Sequence, residues 1–169
     1  MKNNVLMLLG MAAFVSLLAT SCLKTDDDQK TYSPEEEIAL RNAYINNLIS
    51  KGHDVDTTAT GIYYVVIEEG TGDFAKAKDT LTVGYAGYYI DNVMFDTSEI
   101  HFPDGKMTFV LESQPMIPGW DEGMKLMNKN ARVQFIIPSE KAYGKDGYGS
   151  VPPYQTLIFV VKMFDIKPF

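Results

Sequence analysis

Three hydrophobic patterns follow one another along the chain. Val5 to Ala19 is an apolar run broken only by Gly10 and Ser16, shorter than the roughly 20 apolar residues a membrane-spanning helix needs. Ser33-Pro34-Glu35-Glu36 then carries the marks of a helix start: a serine to cap, a proline for the first helical position and a glutamate three residues after the cap. Ile38, Ile45, Leu48 and Ile49 fall on one narrow stripe of that helix, and Gly52 offers its stop. Such a helix packs on its own domain, acts as a spacer or pairs two copies, and the stripe alone does not choose between them. His53 to Thr60 is polar and reads as a linker.

From Gly61 the period changes to two. Ile62 to Glu68 is rich in β-branched and aromatic residues and ends at Gly70-Thr71-Gly72, a turn. Thr80 to Ile90 alternates, with Leu81, Val83, Tyr85, Gly87 and Tyr89 on one face. Met107, Phe109 and Leu111 alternate in a third segment, and Val133, Phe135 and Ile137 in a fourth. Thr156 to Phe164 is apolar on both faces until Lys162, the pattern of a central strand. Pro118 to Met127 is the helix-like stretch in this half. The predicted class is α+β: five strands forming a sheet folded over one short helix, preceded by an N-terminal helix.

The first residues read as an address. Lys2 supplies a positive start, and Leu18-Ala19-Thr20-Ser21-Cys22 leads small residues into the sole cysteine. This resembles a bacterial lipobox, with Ala19 standing where leucine is commoner. Residues 1–21 are then a lipoprotein signal peptide and Cys22 the acylated residue; the alternative is a chance cysteine beside an ordinary secretory signal. Residues 22–32 form an acidic tether containing Asp26-Asp27-Asp28, either a plain flexible spacer or a segment resembling lipoprotein export signals. The expected location is the cell envelope, at the outer membrane. Residues 33–52 are the helix and 61–169 the strand domain. A net charge of −7 argues against a nucleic-acid partner, whose phosphates call for a basic stripe. A single cysteine excludes an internal disulfide and a thiolate zinc site.

Catalytic motifs built on a nucleophile, a phosphate loop or a dinucleotide fingerprint are missing. The two histidines, His53 and His101, lie in the linker and in a loop. What remains is chemistry that needs no nucleophile, metal or cofactor.

Six fragments occur in a telling order: Val83-Gly84-Tyr85-Ala86-Gly87-Tyr88; Phe95-Asp96-Thr97-Ser98; Phe109-Val110-Leu111; Met116-Ile117-Pro118-Gly119-Trp120-Asp121-Glu122-Gly123; Ile137-Pro138-Ser139 with Ala142-Tyr143-Gly144; and Val151-Pro152-Pro153 with Leu157-Ile158-Phe159. Over roughly Gly61 to Ile166 they resemble the FKBP-type peptidyl-prolyl cis-trans isomerases, which implies an antiparallel sheet of five to six strands wrapped around one short helix, in agreement with the pattern above. The resemblance implies a proline pocket floored by Trp120, with Tyr85, Phe95 and Phe159 as aromatic walls. It implies that the Ile117 N–H and the Tyr143 hydroxyl hold substrate carbonyls, and that Asp96 sits at the rim. Met107, Met116, Tyr148 and Val151 would add substrate contacts. No cofactor is implied; the partners would be proline-containing unfolded or extended polypeptides, and the membrane through Cys22. Taken singly, each of these residues also reads as ordinary core or turn. The chain departs from the family pattern in the long Ser98–Lys106 loop, in Met107 where another aromatic is common, in Asn130 where glycine is usual, and in lacking the arginine that partners the rim aspartate. The rival to an isomerase is a catalytically weak chaperone or protein-binding module on the same fold.

Overall fold

A computed structural model describes residues 31–169; the signal segment, Cys22 and most of the acidic tether lie outside them. The N-terminal helix α1 spans Pro34–Ser50 and begins as its sequence requires. Ser33 Oγ accepts from the Glu36 N–H at 3.1 Å, and the Glu36 carboxylate accepts from the Ser33 N–H at 2.8 Å.

The strands are β1 (Asp56–Thr57), β2 (Tyr63–Glu68), β3 (Thr71–Phe74), β4 (Thr80–Tyr89), β5 (Met94–Thr97), β6 (Met107–Val110), β7 (Asn128–Lys129), β8 (Arg132–Ile137) and β9 (Leu157–Lys167). Two further helices are α2 (Ser98–His101) and α3 (Pro118–Met124). The main sheet is antiparallel, in the order β1-β2-β8-β9-β4-β5, with β6 also paired to β4. It has seven strands, more than the periodicity predicts, because two polar residues of the expected linker, Asp56 and Thr57, pair with Tyr64 and Tyr63. Gly70-Thr71-Gly72 is likewise more than a turn: Thr71 opens β3, which pairs with β7.

Where Ile136 and Ile137 of β8 pair with Ile158 and Leu157 of β9, both faces of the sheet are apolar because helices cover both. On the inner face Phe135, Ile137, Leu157, Phe159 and Val161 join Trp120 and Met124 of α3. On the outer face Ile136, Ile158 and Ile90 form a second cluster beneath Tyr44 and Leu48 of α1. Each fully buried isoleucine of that cluster stabilises the arrangement by about 1.5–3 kcal/mol. The inward side of α1 therefore carries Glu37, Tyr44, Ile45 and Leu48, whereas Ile38 and Ile49 of the predicted stripe are exposed. Among the described residues no helix is long and apolar enough to cross a membrane.

Close approach of α3 to β8 depends on glycine. A Cβ on Gly119 would stand 2.3 Å from Ile137 Cγ2, and one on Gly123 would stand 3.1 Å from the Phe135 ring. Without these side chains the helix lies against the sheet and lowers Trp120 into the core, 5% exposed.

Candidate active site

The edge of β4 is shared. Its first half, Thr80 to Val83, pairs with β6, and Ala86 to Tyr88 pairs with β5. Tyr85 falls in the gap, where its peptide would lack partners on that side. Side chains from the start of α2 fill the role: Ser98 Oγ accepts from the Tyr85 N–H at 3.0 Å, and Thr97 Oγ1 donates to the Tyr85 carbonyl at 3.0 Å. The Ser98 hydroxyl is itself buried and donates to the Gly105 carbonyl at 2.7 Å. Tyr85, Asp96 and Met107 are thereby brought to one place, at the mouth of a cavity of about 560 Å³.

Trp120 lines the floor of that cavity and Phe159 and Tyr85 its walls. The three rings pack edge to face: Trp120 is 5.4 Å from Tyr85 and 5.4 Å from Phe159, each at 80°, a geometry that suits the charge distribution of aromatic faces and edges. Pro115, Met116, Ile117 and Pro118 make one side, and Ala142, Tyr143 and Tyr148 the other. The Tyr148 ring, 72% exposed, stacks on Tyr143 with centroids 5.3 Å apart.

Two residues expected at the cavity do not line it. Phe95 stands behind the wall, stacked on Tyr89 at 4.9 Å and edge-on to Phe159 at 5.6 Å. The register Asp96 to Gly87 puts the Phe95 ring over a residue with no side chain. A Cβ on Gly87 would meet Phe95 at 2.8 Å and Phe159 at 2.9 Å. Val151 is buried, its backbone exchanging two hydrogen bonds of 2.9 Å with Tyr148, and so it holds the loop rather than facing the cavity.

Asp96 is fully engaged. Its Oδ2 accepts from the Tyr85 hydroxyl at 2.9 Å, and its Oδ1 accepts from the Thr97 N–H at 2.8 Å and contacts His101 Nε2 at 2.6 Å. His101 is thus a third partner of the Asp96 side chain. It lies at the end of α2, in a segment that the sequence pattern reads as a loop. The signal was Thr97, which caps that helix by accepting from the Glu99 N–H at 3.4 Å. The Tyr85 hydroxyl is pushed above the usual tyrosine range, first by burial, then by its bond to the Asp96 carboxylate and by that negative charge. Burial raises the Tyr143 hydroxyl too, with the nearby Tyr148 and Asp96 adding to it. Both phenols stay protonated at neutral pH.

Donors at the cavity are left without partners among the described residues, the buried Trp120 Nε1–H being one of them. Among the described residues none accepts from the Tyr143 hydroxyl or from the Ile117 N–H. Ile117 is the residue that starts α3, extended at φ −64° and ψ 143°, with its carbonyl accepting from the Trp120 N–H at 2.9 Å. The site is therefore an aromatic cup with the Ile117 N–H and the Tyr143 hydroxyl available as donors and one fixed carboxylate at its edge. Among the described residues no group of three His, Cys, Asp or Glu side chains is placed to hold a metal ion.

Residues 72–164 match the family FKBP-type peptidyl-prolyl cis-trans isomerase. The chain belongs to that family. It is 41% identical over 120 residues to the FKBP-type peptidyl-prolyl cis-trans isomerase FkpA of Escherichia coli, covering 70% of this chain and 43% of that protein. It is 38% identical over 120 residues to a probable FKBP-type isomerase of Haemophilus influenzae, covering 70% of this chain and 48% of the relative. The chain thus spans less than half the length of these curated relatives. The crystal structure of FkpA from Escherichia coli superposes with a TM-score of 0.68 at 37% identity, covering 79% of this chain and 60% of that one. A peptidyl-prolyl cis-trans isomerase from Pseudomonas syringae pv. tomato gives 0.67 at 26% identity, covering 82% of this chain and 99% of the other. The FKBP-like sheet and short helix read from the sequence are the fold of the family.

Proposed function

We propose that this chain is a peptidyl-prolyl cis-trans isomerase that speeds rotation about X–Pro bonds in unfolded or extended polypeptides of the cell envelope. The observation that carries the reading is the cup itself: Trp120 beneath, Tyr85 and Phe159 beside, and at its edge the Ile117 N–H and Tyr143 hydroxyl, without acceptors among the described residues. Rotation must break amide resonance against a barrier of about 18–20 kcal/mol. The planar amide is strongly dipolar and the twisted one less so, hence moving the bond from water into an aromatic cup raises the ground state more than the transition state. The pyrrolidine ring lies against Trp120 and is held while the preceding carbonyl swings. Donors that meet the carbonyl in its twisted position add binding that the planar form does not receive. A millionfold gain requires about 8 kcal/mol, within reach of these effects together. Asp96 is no proton acceptor in this scheme, since its carboxylate is already tied to Tyr85, Thr97 and His101; it supplies a fixed negative charge at the rim.

The membrane attachment rests on the sequence around Cys22. Cleavage before Cys22 and acylation of its thiol place the domain on a lipid surface at the end of an acidic tether, with more than one acyl chain giving a lasting anchor. Clients reach the site as exported chains whose X–Pro bonds are still settling.

The test is isomer exchange in a short proline peptide, with and without the protein. Acceleration in the native chain that falls at least about tenfold in Trp120→Ala and Tyr143→Phe supports the reading. Peptide binding with exchange at the uncatalysed rate would instead favour a binding module on this fold. For the anchor, Cys22→Ser releases the protein from membranes; a variant that stays bound overturns the acylation.

A further inference from the structure

A carboxylate belonging to none of the cavity residues is bonded beneath the segment that presents Tyr143. Glu37, on the first turns of α1, is 7% exposed. Its Oε1 accepts from the Ser139 N–H at 2.7 Å and from Thr156 Oγ1 at 2.7 Å, and its Oε2 accepts from Ser139 Oγ at 2.6 Å. Arg41 Nη1 stands 3.5 Å from Oε1. A carboxylate without such donors is expensive to bury, and with them the bonds are charge-assisted and strong.

The apolar cluster under Tyr44 and Leu48 already fastens α1 to the sheet, so holding the helix does not require a buried acid. The identity of the donors is what distinguishes this contact. Ser139 begins the short 3-10 turn Ser139–Lys141 that leads into Tyr143. Its carbonyl accepts from the Ala142 N–H at 2.8 Å and from the Gly144 N–H at 2.8 Å, the residues on either side of Tyr143. Thr156 directly precedes β9, which carries Phe159. Bonds therefore run without interruption from Glu37 to Ser139, and from Ser139 to both neighbours of the Tyr143 backbone.

We propose that Glu37 is a positioning residue: through Ser139 it fixes the loop that holds the Tyr143 hydroxyl over the Trp120 floor, which makes α1 a working part of the site. This rests on the reading of the cavity as an isomerase site. An unfastened turn lets the hydroxyl wander, and a displacement of about 1 Å at such a group is enough to lower a rate severely.

Four variants of the full chain test it, read by peptide isomer exchange and by amide hydrogen exchange at Ala142 and Gly144. Glu37→Ala removes both acceptor oxygens and with them all three hydrogen bonds. It should accelerate exchange at both amides and lower kcat/KM by about tenfold, and the loss should shrink to under about twofold in a Tyr143→Phe background, as coupled residues behave. Glu37→Gln should restore most of the activity, because its amide oxygen still accepts from the Ser139 N–H and Thr156, and Ser139 Oγ is able to accept from the amide nitrogen. Leu48→Ala loosens the same helix elsewhere, and should lower thermal stability while leaving exchange at Ala142 and Gly144 unchanged. Unchanged amide exchange in Glu37→Ala, or an equal activity loss with and without the Tyr143 hydroxyl, overturns the proposal. Should Glu37→Ala fail to fold, Ser139→Ala and Thr156→Val remove single donors and are judged by the same two criteria. A native chain that does not catalyse isomer exchange refutes the isomerase reading alone, and the amide measurements still decide whether Glu37 fixes the loop.

Discussion

The seat of Trp120 is set by a missing methyl group, and Gly119→Ala tests this directly. The added Cβ would stand 2.3 Å from Ile137 Cγ2, 3.1 Å from the Lys141 carbonyl oxygen and 3.2 Å from Ile137 Cδ1. Carbon atoms in contact settle at about 3.5–4.0 Å, so the worst overlap exceeds 1 Å. Ile137 has no room to withdraw: it is fully buried among core side chains, and its branched β-carbon confines it to few rotamers. The backbone oxygen of Lys141 is no more yielding. Relief must come from α3 lifting off β8. Overpacking of this kind costs about 1–3 kcal/mol, against a gain of at most about 1 kcal/mol from replacing glycine by alanine in a helix. With that gain realised in full the balance is a loss of up to about 2 kcal/mol, which for a domain of this size lowers Tm by up to about 8 °C.

The effect on turnover should be larger than the effect on stability. Trp120 is the next residue and Ile117 lies two before, so lifting the helix moves both the floor and one of the two donors. Thermal unfolding followed by circular dichroism, with peptide isomer exchange on the same samples, measures the two effects. The expected result is a modest Tm loss with a drop in kcat/KM of tenfold or more, on the order of what misplacement by about 1 Å produces. Ile137→Ala removes the offending Cγ2, and the double variant should be less destabilised than the two single losses together. A Gly119→Ala protein with native Tm and native turnover would refute the argument that this close approach seats the floor.

Alkaline stability should report on Tyr85. Its folded-state hydroxyl is raised above the ordinary value of 10.0, so the stabilisation it gives is complete below about pH 10 and is lost as the pH climbs through the raised value. Urea midpoints at pH 8 and pH 10.5 should therefore fall further for the native chain than for Tyr85→Phe, and parallel losses would contradict this. His101→Ala frees Asp96 Oδ1 from a contact of 2.6 Å. Because the His101 side chain is 50% exposed, the stability change should stay below about 1 kcal/mol, while kcat/KM falls measurably as the rim carboxylate loses one of its three partners; unchanged turnover would show that Tyr85 and Thr97 alone fix it. Phe95→Leu should reduce activity less than Trp120→Ala in the same peptide assay, since Phe95 supports Phe159 from behind and does not face the cavity; equal losses would place its ring at the substrate.

Features written locally were legible in the sequence. The start of α1 needed only Ser33, Pro34 and Glu36, three residues within one turn. The central position of β9 followed from apolar residues on both faces, which the helices on the two sides of the sheet require. Trp120, Tyr85 and Phe159 emerged from the family order of the fragments, and the structure brings their rings together. What stayed hidden depends on partners distant in the chain. Asp56, of a type depleted in strands, and the single β-branched Thr57 become a strand because Tyr63 and Tyr64 lie beside them. Glu37 looks like an ordinary first-turn acid, suited to the helix dipole, until Ser139 and Thr156 arrive from more than a hundred residues away. Phe95 passes for a wall residue because sequence order cannot tell a ring that faces the cavity from one that supports it.

The cavity itself has a backbone cause that no single motif expresses. One continuous strand, β4, is too long for either of its edge partners, so β6 takes its first half and β5 its second. A sheet whose edge changes partner must leave some peptide between them unpaired, and here that peptide belongs to Tyr85. Thr97 and Ser98 repair the defect with their hydroxyls. Because the same two residues begin α2, the repair also turns the chain so that His101 comes back onto Asp96. The segment between β5 and β6 thus mends the divided edge of β4, and its short helix supplies His101 as a partner for the rim carboxylate.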